Sequence, residues 1–185
     1  LGVDFGVPEA NKVTAATAWG ADGATILANY ERWVQDYIDG NDNGYAPDVF
    51  VTGIENIRIV LNDVAIRKAI TGYSDKLLTL DELNTFLRGR ELPPMEAFDA
   101  KVTYRDPTKG GKRTTALDSK KGVFLMEGDK IGNVQMGPTY ENDMEPGIFA
   151  RTFTMERPLR EAVEVVAAGF PKIMYPELIK ICTVR

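Results

Sequence analysis

Apolar and polar positions alternate in the first residues, "LGVDFGV", around Asp4, and this pattern predicts a short strand. The next stretch, "PEANKVTAATAWGADGA", is small and polar, so it reads as a loop with Trp19 as its anchor. From Ala24 to Ile38 the period becomes helical, with Leu27, Tyr30, Val34, Tyr37 and Ile38 on one face and Arg32, Gln35 and Asp36 largely opposite. After "DGNDNG" the β-branched run Val49–Thr52 predicts a buried strand. A second helix is predicted from Ile54 to Ile70, with Ile54, Ile57, Val60, Leu61, Val64 and Ile70 as its apolar face. The third helix carries the clearest end signals. Thr79 is an N-cap type with Glu82 three residues on, which is the capping-box spacing, and Gly89 can end it.

Beyond that helix the pattern turns to strands. "FDAKVTY", "GVFLMEG", "NVQMGP", "IFARTFTM", "EAVEVVAAGF" and "ELIKICTV" each read as a strand, and "DPTKGGKRTT" as a turn-rich excursion. Pro158, Pro171 and Pro176 are expected to break the closing part into short pieces. The order, helices early and strands late, makes the fold class α+β.

Composition narrows the chemistry. A chain of 185 residues suits one large domain or two small lobes. There is no apolar run of about 18 residues, the length a membrane span requires. The net charge of −5 argues against a protein held to nucleic acid by bulk attraction to phosphate. One cysteine, Cys182, excludes an internal disulfide framework. The absence of histidine matters most. Without it the chain cannot build a Ser-His-Asp or Cys-His unit, and it lacks the commonest transition-metal ligand. The first residue is Leu1 rather than Met, which gives the expectation that the chain is a piece of something longer.

Several stretches carry residues of chemical interest. Asp39, Asn41, Asn43 and Gly44 fit the opening of a calcium loop, D-x-[DN]-x-[DN]-G. Such a loop needs a bidentate acid at its twelfth position, and Phe50 stands there, with a strand rather than a helix following. Asp48 is the one acid placed to reach back. The simpler reading is a turn, with Gly40 ending the helix and Asn, Asp and Gly shaping the entry to the strand.

"TKGGKRTT" lacks the G-x-x-x-x-G-K spacing of a phosphate loop. Lys101, Arg105, Lys109, Lys112, Arg113, Lys120 and Lys121 form a basic cluster, read as a solvated hairpin or as a contact for an acidic neighbour. Asp36 with Asp39, and Glu141 with Asp143 and Glu145, are carboxylate groupings that suit a polar surface better than a catalytic pair. Cys182 shares one side of "IKICTV" with Lys180 and Val184, and without a histidine partner it reads as a small packing residue. No catalytic, cofactor or metal residue is assigned, and the chain is not expected to be an enzyme.

With these elements in order, the sequence resembles the C-terminal portion of a tailed-phage major capsid protein of the capsid protein E family. "VDFG" followed by an Asn-containing loop and Trp19 is similar to the segment after that family's long spine helix. "APDVFVTGIENIRIVLNDVAIRKAI" resembles its strand-then-helix unit, and "TLDELNTFLRG" its next short helix. "LPPMEAFDAKVTY", "FLMEGDKIGNVQMGPT" and "GFPKIMYPELIKICTV" resemble its later strands and closing hairpin.

The resemblance implies a Hong Kong 97-type fold without the N-terminal arm, extended loop and spine helix. It implies peripheral-domain segments at 1–44 and 156–185 and an axial domain at 45–155. It also implies a structural subunit of a phage or prophage icosahedral head, self-assembling into pentamers and hexamers around packaged DNA. Its partners would be other copies of itself, with scaffold or decoration proteins, and no specific nucleic-acid sequence or membrane. The location would be the virion capsid, and the host cytoplasm before assembly. Two alternatives stay beside it: a small calcium-dependent binding module using Asp39–Gly44, and a hydrolase using paired carboxylates.

Overall fold

The computed structural model describes residues 6–106, 110–128, 131–156 and 159–185. The strand expected at the start of the chain, and Pro158, lie largely or wholly outside them. The chain forms two compact units, one of Leu1–Ile131 with Tyr175–Arg185, the other of Gly132–Met174.

The first unit is built on a five-stranded sheet. Its strands are β1 (Lys12–Thr14), β2 (Val49–Thr52), β3 (Met95–Ala97), β6 (Lys121–Leu125) and β10 (Lys180–Thr183), in the order β1-β10-β6-β2-β3. β1 lies parallel to β10, and β2 parallel to β3, while β6 runs antiparallel to both of its neighbours. The sequence pattern makes β1 a loop. A strand so short and polar is recruited by its partner, since Lys12, Val13 and Thr14 align with Ile181, Cys182 and Thr183.

Helix α1 (Ile26–Asp39) buries Ile26, Tyr30, Trp33, Val34 and Tyr37, the spacing of a single helical face. Its rings meet those of the sheet. Phe50 and Phe124 sit with centroids 4.5 Å apart, Tyr30 lies 5.3 Å and 5.2 Å from them, and Trp19 stacks on Trp33 at 5.9 Å. Trp19 is the expected anchor and is buried. Gly122 on β6 makes this ring packing possible. A Cβ there would lie 2.8 Å from Cε1 and Cε2 of Phe50 and still closer to its Cζ.

The single helix expected over Ile54–Ile70 is two helices, α2 (Ile54–Asn62) and α3 (Val64–Thr71). Asp63 between them is extended (φ −64°, ψ 126°), and its side chain accepts the Ile66 N–H at 2.8 Å, so it ends one helix and caps the next. The break changes which residues of α3 are buried. Val64, expected on the buried face, is exposed, whereas Ile66 is buried.

Helix α4 (Leu80–Gly89) has both halves of the predicted capping box. The Glu82 N–H donates to Thr79 Oγ1 at 3.3 Å, and the Thr79 N–H donates to a Glu82 carboxylate oxygen at 3.0 Å. The Thr79 N–H, joined by the Thr79 hydroxyl at 3.1 Å, holds the Glu82 carboxyl below its ordinary range. Among the described residues, no helix is long and apolar enough to cross a membrane.

The segment expected as a turn-rich excursion is half of a hairpin. β4 (Lys101–Asp106) and β5 (Gly110–Thr115) form a separate two-stranded sheet, in register from Lys101↔Thr115 to Asp106↔Gly110. Cross-strand pairing overrode the weak local preference of Gly110 and Gly111.

The second unit is a three-stranded sheet of β7 (Gly132–Gly137), β9 (Leu159–Ile173) and β8 (Ile148–Glu156), with β9 in the middle and both pairings antiparallel. β9 runs unbroken through Pro171, contrary to the expected short pieces. From Ala168 to Ile173 it pairs with β7 alone, while β8 covers Leu159–Ala167. A strand with one neighbour has half its N–H groups on an open side, where proline fits. Pro176, by contrast, opens a short 3-10 turn, Pro176–Leu178.

Candidate functional site

The loop after α1 is a turn organised by a buried asparagine. Asn41 Nδ2 donates to the carbonyls of Tyr37 and Tyr45 at 2.8 Å and 2.9 Å, and its Oδ1 accepts the Tyr45 N–H at 2.8 Å. Gly40 caps the helix, its N–H donating to Asp36 O at 3.2 Å, and Gly44 takes the left-handed conformation (φ 63°) that such a turn requires. The Asp39 carboxylate accepts from Gln35 at 2.8 Å. Asp48 Oδ2 accepts the Glu127 N–H at 2.9 Å, so this carboxylate ties the loop to the end of β6. Phe50, at the twelfth position, is at the centre of the aromatic core. The observed side-chain roles are those of the turn, and the calcium-module alternative gains no support.

The carboxylate groupings do not converge. Asp36 and Asp39 are exposed on the last turn of α1. Glu141, Asp143 and Glu145 are exposed along a 3-10 turn and the bend after it. Of the basic cluster, Lys101 and Arg105 are on β4, Lys112 and Arg113 on β5, Lys121 on β6 and Lys120 just before it. Lys109 lies outside the described residues.

Cys182 occupies the interior of the sheet, paired on β10 with Val13 and Gly122. Burial pushes its thiol up to about 12, which leaves it protonated and unreactive at neutral pH. Its neighbour on the same side, Lys180, is a finding that the alternation did not convey. The side chain is only 1% exposed, and burial lowers its pKa, opposed by the nearby Asp36 carboxylate. The sequence pattern places Lys180 on the side of Cys182 and Val184, and the reading of Cys182 as a packing residue is the one signal that this side is buried.

The concave feature that sequence reasoning missed lies at one end of the five-stranded sheet. It is a cavity of about 450 Å³ lined by Gly40, Asn41, Asp42, Asn43, Tyr45, Met126, Tyr175, Glu177 and Leu178. Tyr45 and Tyr175 are half exposed, at 50% and 49%. Beneath it Tyr37 donates to the Leu178 carbonyl at 2.7 Å, and burial raises its hydroxyl to about 12. The lining residues come from three distant parts of the chain, so no local motif announces the cavity.

The second unit offers a different kind of surface. Along one side of its sheet Val134, Ile148, Val163 and Val165 are 64%, 64%, 68% and 62% exposed. The register places all four on the same face. The opposite face carries the Arg151–Glu164 ion pair at 2.6 Å, with the Arg151 guanidinium 5.7 Å from the Phe153 ring centre.

No curated protein matches the chain. Among solved structures, a prophage protein of E. coli CFT073 described as its capsid protein is similar, with a TM-score of 0.64 and 13% identity, over 98% of this chain and 55% of that one. A phage-related protein of Bordetella bronchiseptica RB50 is similar with a TM-score of 0.67 and 10% identity, over 95% of this chain and 56% of that one. The chain thus spans about half the length of these relatives, and at such identities the likeness is one of fold. The family model for phage major capsid protein E matches residues 1–169, and the chain belongs to that family.

Proposed function

We propose that the chain is the shell-forming part of a phage or prophage head subunit, with a structural and not a catalytic role. In that reading the fold is of the Hong Kong 97 type. An axial domain spans 45–155, and peripheral-domain segments lie at 1–44 and 156–185. Copies assemble as pentamers and hexamers into an icosahedral shell around DNA, in the virion after assembly and in the host cytoplasm before it.

The observation that carries this reading, beyond family membership, is the second unit's sheet. Four large aliphatic residues on one face, each more than half exposed, form a surface of the kind that marks contact with another protein layer. The net charge of −5 is compatible with a shell that encloses DNA without clamping it.

The test is light scattering after size exclusion, on the complete protein that contains these residues and on the 185-residue chain, in one buffer. Capsomers or heads are expected from the complete protein, and monomers or low, concentration-dependent oligomers from the shorter chain. A complete protein that stays monomeric under all assembly conditions would refute the reading.

A further inference from the structure

The geometry points to a head-to-tail contact in which the tyrosine-lined cavity of one copy receives basic side chains from the β4–β5 hairpin of a second copy. This deepens the shell-subunit reading and rests on it.

The cavity is built for an organic cation. Tyr45 and Tyr175 present half-exposed rings to it, and ring faces attract ammonium and guanidinium groups. Asp42 and Glu177 add two carboxylates at its wall, and none of its lining residues is basic. Neither carboxylate is held by an ion pair among the described residues. A basic side chain entering the cavity would meet two acids and two rings at once.

The same chain carries the complementary charge. Residues 101–121 hold seven Lys and Arg against only Asp106 and Asp118, in a chain that is acidic as a whole. The hairpin within that stretch is a two-stranded sheet, separate from the five-stranded one. A two-stranded ribbon is marginal in water until it packs against something.

The two features lie at opposite ends of β6. The hairpin leads into β6 before its first residue, Lys121, whereas Met126 of the cavity immediately follows its last, Leu125. Five residues of strand separate them by roughly 16 Å, at about 3.3 Å per residue. A contact joining one end of a copy to the other end of the next is heterologous, and such contacts form rings when the rotation between copies closes. Rings are the form a capsomer requires.

The experiment assembles the complete protein from a mixture of 14N- and 15N-labelled copies. A carbodiimide then joins neighbouring carboxylates and amines, and mass spectrometry reads the linked peptides. Links between Asp42 or Glu177 and Lys101 or Lys112, spanning the two isotopes, are expected. In parallel, the Asp42→Lys/Glu177→Lys variant should lose assembly while keeping its far-ultraviolet spectrum. Mixing it with the Lys112→Glu/Arg113→Glu variant should restore hexamers, the ring in which the two variants can alternate. Particles that form normally from Asp42→Lys/Glu177→Lys, or that show these links within one isotope only, would overturn the contact while leaving the shell reading intact. A complete protein that forms no particles would overturn both.

Discussion

Replacing Gly122 with alanine tests whether the aromatic core is packed as tightly as the distances indicate. The new Cβ would sit 2.8 Å from Cε1 and Cε2 of Phe50 and closer still to Cζ, so the ring must move. It has nowhere to go. Phe124, Tyr30 and Trp19 hold it with centroids at 4.5, 5.3 and 6.2 Å, and Phe50 has no exposed surface. Overpacking of a filled core costs about 1–3 kcal/mol as a rule, and a rigid ring trapped on three sides places this site near about 3 kcal/mol.

Phe50→Leu alone removes ring atoms and leaves a partial void, at about 1–2 kcal/mol. Combined, the smaller side chain makes room for the new methyl. The double variant is therefore expected to be destabilised by about 2–3 kcal/mol, well short of the sum of the single changes, so the two sites couple by roughly 2 kcal/mol. Urea titration followed by the fluorescence of Trp19 and Trp33 measures all three differences, provided the slope stays constant. A Gly122→Ala loss below about 1 kcal/mol, or strict additivity with Phe50→Leu, would refute the packing argument.

The remaining predictions concern caps and buried groups. Thr79→Ala should destabilise the chain by about 1 kcal/mol, and a loss under a few tenths in urea titration would mean that packing alone holds α4. The Glu82 carboxyl is depressed when folded, so its contribution is present above the ordinary carboxylate pKa and lost as pH falls through the folded value. Glu82→Gln should accordingly flatten acid unfolding in that range, and an unchanged acid limb would contradict the capping role. The Lys180 ammonium is depressed, which gives stability that rises with pH from its folded pKa to the ordinary lysine value. Lys180→Met should remove that alkaline rise, and a rise that survives would assign it to another group. Cys182 should react with an aromatic disulfide reagent at pH 8 only as fast as the chain unfolds, whereas fast labelling of the native chain would show that it is not buried.

Legibility in the sequence tracks the range of the interactions involved. The capping box of α4 was legible because Thr79 and Glu82 are three residues apart and satisfy each other. The turn at Asn41 was legible because its hydrogen bonds stay within four residues. The break at Asp63 was local too, but the apolar period on either side masked it, and an Asp followed three residues later by a free helical N–H was the signal to weigh. β1, β5 and the run of β9 through Pro171 depend on which strand lies alongside, which no period of two reveals. The burial of Lys180 and the cavity between Tyr45 and Tyr175 depend on residues more than 100 positions apart, so they became visible only in the fold.

The central claim, that this chain builds a shell, is tested most directly by electron cryomicroscopy of the complete protein after assembly. Closed icosahedral particles are predicted, with both units traceable in every subunit and the exposed face of Val134, Ile148, Val163 and Val165 covered by protein. Homogeneous preparations in which the protein remains as isolated monomers, with that face open to solvent, would contradict the account.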